Sequence, residues 1–204
     1  MSQDGPLVIL FVAAFAIWLF RQWLGDLREA RAGRPHPQAW PGAVPSPSPI
    51  IVLAVFGSLA LLAFETYGEY ALGISEQQKN ISVLFLLAMV AAAFYEELIF
   101  RGFLVITGRG SAALLAGIVG FSLLFSLLHP FLWDWKDGGL VFDFSLKAWW
   151  STALVFASSL WFYTVRFLPL NPARSLIPCF AAHLAKNLGV FAIKLAQGHV
   201  TSWW

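Results

Sequence analysis

The chain has 204 residues, 59% of them hydrophobic and only 12% charged, and its net charge is +2. That composition excludes a soluble globular domain of ordinary make-up, and the near balance of charge gives no basis for a nucleic-acid partner. A single cysteine, Cys179, excludes an internal disulfide framework and a multi-cysteine metal site.

Six mostly apolar windows follow one another, at residues 7–23, 50–64 with some extension, 81–106, 112–128, 148–167 and 176–196. Runs of roughly 17 to 25 residues suit helices crossing a hydrocarbon core of about 30 Å. They are continuous rather than alternating, which predicts an all-α, polytopic transmembrane bundle of about six helices and not a transmembrane barrel. Nothing basic precedes the first window and no small-x-small cleavage site follows it, so it reads as an uncleaved membrane helix.

Residues 35–49 hold six prolines (Pro35, Pro37, Pro41, Pro45, Pro47 and Pro49). They deny a continuous helix and favour an extended, polyproline-like link. The expected organisation is a membrane helix with a basic flank over 1–34, a proline-rich cytoplasmic linker over 35–49, and an intramembrane core over 50–204, to which the first helix is peripheral. A proline-rich docking motif is the alternative use of the linker. Gly108-Arg109-Gly110-Ser111 predicts a tight turn, and residues 168–175, with Pro169, Asn171 and Pro172, predict another. The loop over 130–147 is rich in aromatics (Phe131, Trp133, Trp135, Phe142 and Phe144), and Trp149 and Trp150 follow it. These read as an interfacial belt, with a lid or substrate-recognition surface as the alternative.

Arg21, Arg28, Arg31, Arg34, Arg109, Arg166 and Arg174 fall on one side of the predicted bundle. The other side carries Lys79, Lys136 and Lys147 with Asp4, Glu65, Glu69, Glu76, Asp134, Asp137 and Asp143. The positive-inside rule makes the arginine side cytoplasmic and puts both termini outside.

Within the apolar windows stand Glu96, Glu97 and Arg101, then His129 ending the fourth, and His183 with Asn187 in the sixth. An ionisable side chain at the centre of a membrane helix costs at least about 2.5 to 3.5 kcal/mol, so these are functional-site candidates by default. Glu97 and Arg101 are four residues apart and share a helix face, where they pair; Glu96 is rotated about 100° away and stays free. His183 and Asn187 also share a face. Counting about 1.5 Å per residue from the cytoplasmic turns puts Glu96, His129, His183 and Asn187 at about 21, 28, 18 and 24 Å, one layer in the outer half of the membrane.

The motifs Glu96-Glu97-x-x-x-Arg101, Phe125-x-x-x-His129 and His183-x-x-x-Asn187, in that order on three membrane windows, resemble those of the CAAX protease and bacteriocin-processing (CPBP, or Abi) family. The resemblance covers about residues 80–197 and leaves out the first window and the linker. Six helices are also fewer than the eight typical of the eukaryotic prenyl-protein proteases. It implies intramembrane endoproteolysis, with a membrane-anchored protein or peptide as substrate and the bilayer as environment. Glu96 would be the general base, a task suited to a carboxylate in a low-dielectric site. His129 would share the water and return its proton to the leaving amine. His183 and Asn187 would donate to the oxyanion, Glu97 and Arg101 would hold the scaffold rigid, and Phe125 would pack.

No cofactor is expected. Zinc on Glu96, His129 and His183 is the alternative, since a carboxylate and two histidines leave a fourth position open, although no His-Glu-x-x-His helix is present. A site opening to the non-cytoplasmic side suits an exported substrate with a C-terminal anchor better than a farnesylated CAAX-like tail. That is the task of the myxosortase-like branch, which trims sorting tails in bacteria, and it implies a bacterial inner membrane. Rival readings are a non-catalytic immunity or scaffold protein and a proton or ion transporter. Cys179 lies one turn before His183, which permits a Cys–His dyad, but a core thiol is the expectation. Lys186 faces away from His183 and Asn187, and His36 and His199 lie outside the polar layer.

Overall fold

Each apolar window forms a helix, with altered ends: α1 (Pro6–Arg31), α2 (Ser48–Ala71), α3 (Phe85–Glu97), α4 (Ser111–Leu128), α5 (Leu146–Phe167) and α6 (Ile177–Ala196). The computed structural model describes residues 5–136 and 138–204, so Asp4 and Asp137 of the expected outer charge set lie outside the described residues. Four helices, α1, α2, α4 and α6, are long and apolar enough to cross a membrane. The window at 81–106 is subdivided: Ile81–Ser82 is a short strand, β1, and α3 passes without a break into a π-helical turn over Leu98–Phe103. Conversely α2 runs past its apolar window, so Glu65 and Glu69 lie inside its last turns.

The contacts alternate between two ends. At one end β1 pairs in parallel with β4 (Val200–Ser202), and Lys147 in the first turn of α5 pairs with Glu69 near the end of α2. The same end carries a hairpin of β2 (Trp133–Lys136) and β3 (Gly139–Phe142), tied to α4 by Trp133 Nε1 donating to Leu127 O at 2.7 Å. At the opposite end the proline segment meets the α5–α6 turn: Leu176 N donates to Gly42 O at 3.1 Å and Ser175 Oγ to Val44 O at 2.7 Å.

The proline segment is therefore packed and not an extended spacer. Its missing N–H groups keep it non-helical, yet Ala43 is buried in one cluster with Trp23 and Leu27 of α1, Phe94 of α3 and Ala182 of α6. Trp23 Nε1 donates to Pro41 O at 3.1 Å and Trp40 N to Asp26 Oδ2 at 2.7 Å, folding the segment back along α1. Segments 1–34, 35–49 and 50–204 thus share one core.

Helices α2 and α5 meet through two tryptophan-on-glycine contacts. A Cβ on Gly57 would fall 2.2 Å from the Trp161 ring, and one on Gly68 would fall 2.1 Å from the Trp150 ring. Each indole N–H bonds a carbonyl one turn before its glycine: Trp161 to Ala54 O at 3.0 Å and Trp150 to Glu65 O at 3.3 Å. Small residues let membrane helices approach closely where no hydrophobic effect draws them together. The two contacts place the antiparallel pair in register and fix the wall on which α6 packs.

Candidate active site

Glu97 is the last residue of the α-helical part of α3, and Arg101 lies in the π turn that follows. The expected pair forms inside the bundle, with Arg101 Nη1 3.0 Å from Glu97 Oε1 and both side chains fully buried. Arg101 Nη2 also donates to the Ser159 carbonyl at 3.1 Å and to the Ser159 hydroxyl. The guanidinium lies over Phe125, Tyr163 and Phe162 at 4.5, 4.8 and 5.1 Å, a desolvated setting in which cation–π attraction counts. A π turn changes which carbonyls the helix satisfies. The buried Tyr163 hydroxyl answers this, reaching Phe100 O at 2.6 Å and Leu104 O at 3.0 Å.

The Glu97 carboxylate has a second partner that local spacing did not reveal: His183 Nδ1 lies 2.8 Å from Glu97 Oε1. A carboxylate paired with arginine only accepts, so Nδ1 carries a hydrogen and the ring's other nitrogen is turned into the site. That nitrogen, Nε2, lies 3.9 Å from Glu96 Oε2. Phe162 stacks on the imidazole with centroids 5.0 Å apart, and Phe125 meets it edge-on at 6.2 Å. Glu96 differs from its neighbour in access: its side chain is 20% exposed where that of Glu97 is fully buried, while among the described residues each has an Oε2 without a hydrogen-bond partner.

His129 caps α4, where the backbone turns extended. Its Nδ1 is 2.8 Å from Phe125 O, and because a carbonyl cannot donate, Nδ1–H is the donor. The ring packs on Phe125 at 4.7 Å and stacks with Phe131 at 6.2 Å. Phe125 thus touches His129, His183 and Arg101 at once, a packing residue that serves as the common wall of the site. Asn187 Nδ2 donates to Met89 O at 2.8 Å, engaging one of its two N–H groups and joining α6 to α3. Residues 104–110 and 168–176 are not helical, so the helical rise used to count Glu96, His183 and Asn187 from the turns does not apply over those stretches.

Among the described residues no group of three His, Cys, Asp or Glu side chains is arranged to hold a metal ion. Zinc on Glu96, His129 and His183 would therefore require those three side chains to shift together. Cys179 is fully buried, its Sγ 3.2 Å from Phe162 O, as expected of a core thiol.

A neighbouring ionic cluster was not legible beforehand. Lys186 is buried; its Nζ lies 2.9 Å from Glu65 Oε2 and donates to Ser158 Oγ at 2.6 Å. Glu65 and Glu69, expected among solvent-facing charges, are instead largely buried against Lys186 and Lys147. The only advance signal was a lysine between His183 and Asn187 with no partner on its own helix.

Residues 78–189 match the family model described as type II CAAX prenyl endopeptidase Rce1-like. The matched span holds Glu96, Glu97, Arg101, Phe125, His129, His183 and Asn187, and leaves out α1, the proline segment and α2. No curated protein and no solved structure matches the chain.

Proposed function

We propose, on the premise that the chain belongs to the Rce1-like family of type II CAAX prenyl endopeptidases, that it hydrolyses a peptide bond of a membrane-anchored protein with a water activated by Glu96. The observation that carries the reading is the contrast within one dipeptide. Glu97 is fully buried and its Oε1 is shared by Arg101 and His183, while the Glu96 side chain is 20% exposed, with Oε2 3.9 Å from His183 Nε2.

In this mechanism Glu96 takes a proton from water as the water oxygen bonds the scissile carbonyl carbon. The resulting oxyanion accepts hydrogen bonds from the free N–H of Asn187 and from His183 Nε2–H. For that role His183 carries its second proton, and Glu97 is the counter-ion on the far side of the ring. Each such donor is worth about 3 to 4 kcal/mol in other hydrolases. As the C–N bond breaks, the proton returns to the leaving amine through His129, whose Nδ1–H is occupied by Phe125 O, so that Nε2 faces the site. No metal takes part in this scheme.

The substrate is proposed to be a C-terminal tail. The arginine-rich end of the bundle favours a site opening to the non-cytoplasmic side of a bacterial inner membrane, and with it a C-terminal sorting tail as in the myxosortase-like branch. A prenylated CAAX-like tail is the second reading, favoured by the family description. The test is purified protein in lipid nanodiscs with two reporters, one ending in a hydrophobic anchor helix and one in a prenylated cysteine tail. Cleavage lost in Glu96→Gln and retained after exhaustive chelation supports the scheme; chelation that stops cleavage until zinc is restored sinks its metal-free form. Cleavage of neither reporter by the folded wild-type protein favours the scaffold or transporter reading.

A further inference from the structure

The seven arginines that mark one side of the bundle do not share one environment. Arg166, in the last turn of α5, is only 8% exposed. Among the described residues its Nε and Nη1 are buried without a hydrogen-bond partner, and no carboxylate oxygen lies within 4.0 Å of it. Arg101, fully removed from solvent, has Glu97 and Ser159. A buried charge without a counter-charge is among the costliest arrangements in a protein, and such a group normally finds an anion.

A second arginine lies against the same ring, that of Phe167. The guanidinium groups of Arg166 and Arg174 each lie 5.5 Å from the centroid of the Phe167 ring. Arg174 is the one non-glycine residue with positive φ, 52°, among the described residues, a conformation disfavoured for a side chain of that size. The turn holds it there: Arg174 N donates to Asn171 O at 2.9 Å. The buried Asn171 amide spans the turn, its nitrogen reaching Arg166 O at 3.2 Å and Ser175 O at 2.9 Å while its oxygen accepts from Ser175 N at 2.9 Å. Two like charges are thus fixed close to one ring by a saturated, strained turn, and the ring alone offsets only part of their repulsion.

We infer that Arg166 and Arg174 form a binding site for a phosphate-type oxyanion, which in the bilayer is the headgroup of an anionic phospholipid. Two guanidinium forks match the oxygens of a phosphate. The site lies where α5 ends, at the level of headgroups for a membrane helix, on the end that also carries Arg28, Arg31 and Arg34. The bound headgroup fastens the turn from which α6, carrying His183, begins. Nothing in this proposal depends on the hydrolytic scheme, and its test reads no cleavage.

The full-length protein is placed in nanodiscs of phosphatidylcholine alone or with phosphatidylglycerol, and in the former with excess inorganic phosphate. Thermal stability and the lipid retained by native mass spectrometry are measured for wild type, Arg166→Gln, Arg174→Gln and the exposed control Arg28→Gln. Wild type and Arg28→Gln gain about 5 °C from phosphatidylglycerol and keep it bound, whereas both site variants lose most of the gain and about tenfold in retention. Inorganic phosphate reproducing the gain in wild type but not in the variants establishes the same oxyanion site with a soluble source. An undiminished response in the variants, or an equal loss in Arg28→Gln, overturns the proposal. Should Arg166→Gln fail to fold, the exposed Arg174 carries the test alone.

Discussion

Two buried ionic clusters hang on one face-to-face stretch of α6, and they differ in what they leave open. Lys186 turns away from the site and is held by Glu65 of α2 and Ser158 of α5, a closed tie among three helices. Three residues earlier His183 turns toward α3 and meets Glu97, which also holds Arg101. Beside this second cluster stands Glu96, a partly exposed carboxylate whose Oε2 has no hydrogen-bond partner among the described residues. The comparison teaches that burial of charge is not itself a mark of chemistry in this protein. What marks it is a partly exposed carboxylate next to a fully buried, ion-paired one, since only the former can be reached by water.

The sharpest way to break this comparison is to neutralise the open group. Glu96→Gln keeps the shape of the side chain and removes the base; cleavage of the tail reporter should fall by about 10² to 10⁴-fold with unchanged thermal stability. A stable variant that still cleaves at the wild-type rate would move the base elsewhere. The closed cluster should answer oppositely. Lys186→Met leaves Glu65 buried and unpaired and should cost about 3 to 5 kcal/mol of stability, most of it regained in the double variant with Glu65→Leu. Denaturation in mixed micelles reads this, and a double variant no more stable than the single one would show that the pair is not the origin of the loss.

Smaller effects refine the picture around the site. Tyr163→Phe removes the hydroxyl that serves Phe100 O and Leu104 O, and it should destabilise by about 1 to 3 kcal/mol through the π turn. Because Arg101 lies in that turn, amide exchange of residues 98–103 should rise in this variant; unaltered protection would dissociate Tyr163 from the turn. Smallest of all, Cys179→Ala should leave cleavage unchanged, since the thiol is walled into the core against Phe162. A large loss of activity without a loss of stability would revive a Cys–His dyad.

Much of this was written in local patterns. The six apolar windows gave the helices, and the spacing of Glu97 and Arg101 gave their ion pair, because i to i+4 proximity follows from helix geometry alone. The motif order selected Glu96, His129, His183 and Asn187. What the patterns could not carry was the assignment of partners across helices. Glu97 is shared with His183, 86 positions away; Lys186 pairs with Glu65, 121 positions away; and Asn187 spends one N–H on Met89 O. Each depends on the rotation and register of one helix against another, which the tryptophan-on-glycine contacts of α2 and α5 and the packed proline segment fix only once the bundle is assembled. The sequence by itself thus determined that Glu97 and Arg101 pair, because they share one helix face. Tertiary structure alone decided that His183 joins Glu97 and brings its other nitrogen 3.9 Å from Glu96, because that depends on how α6 is rotated against α3.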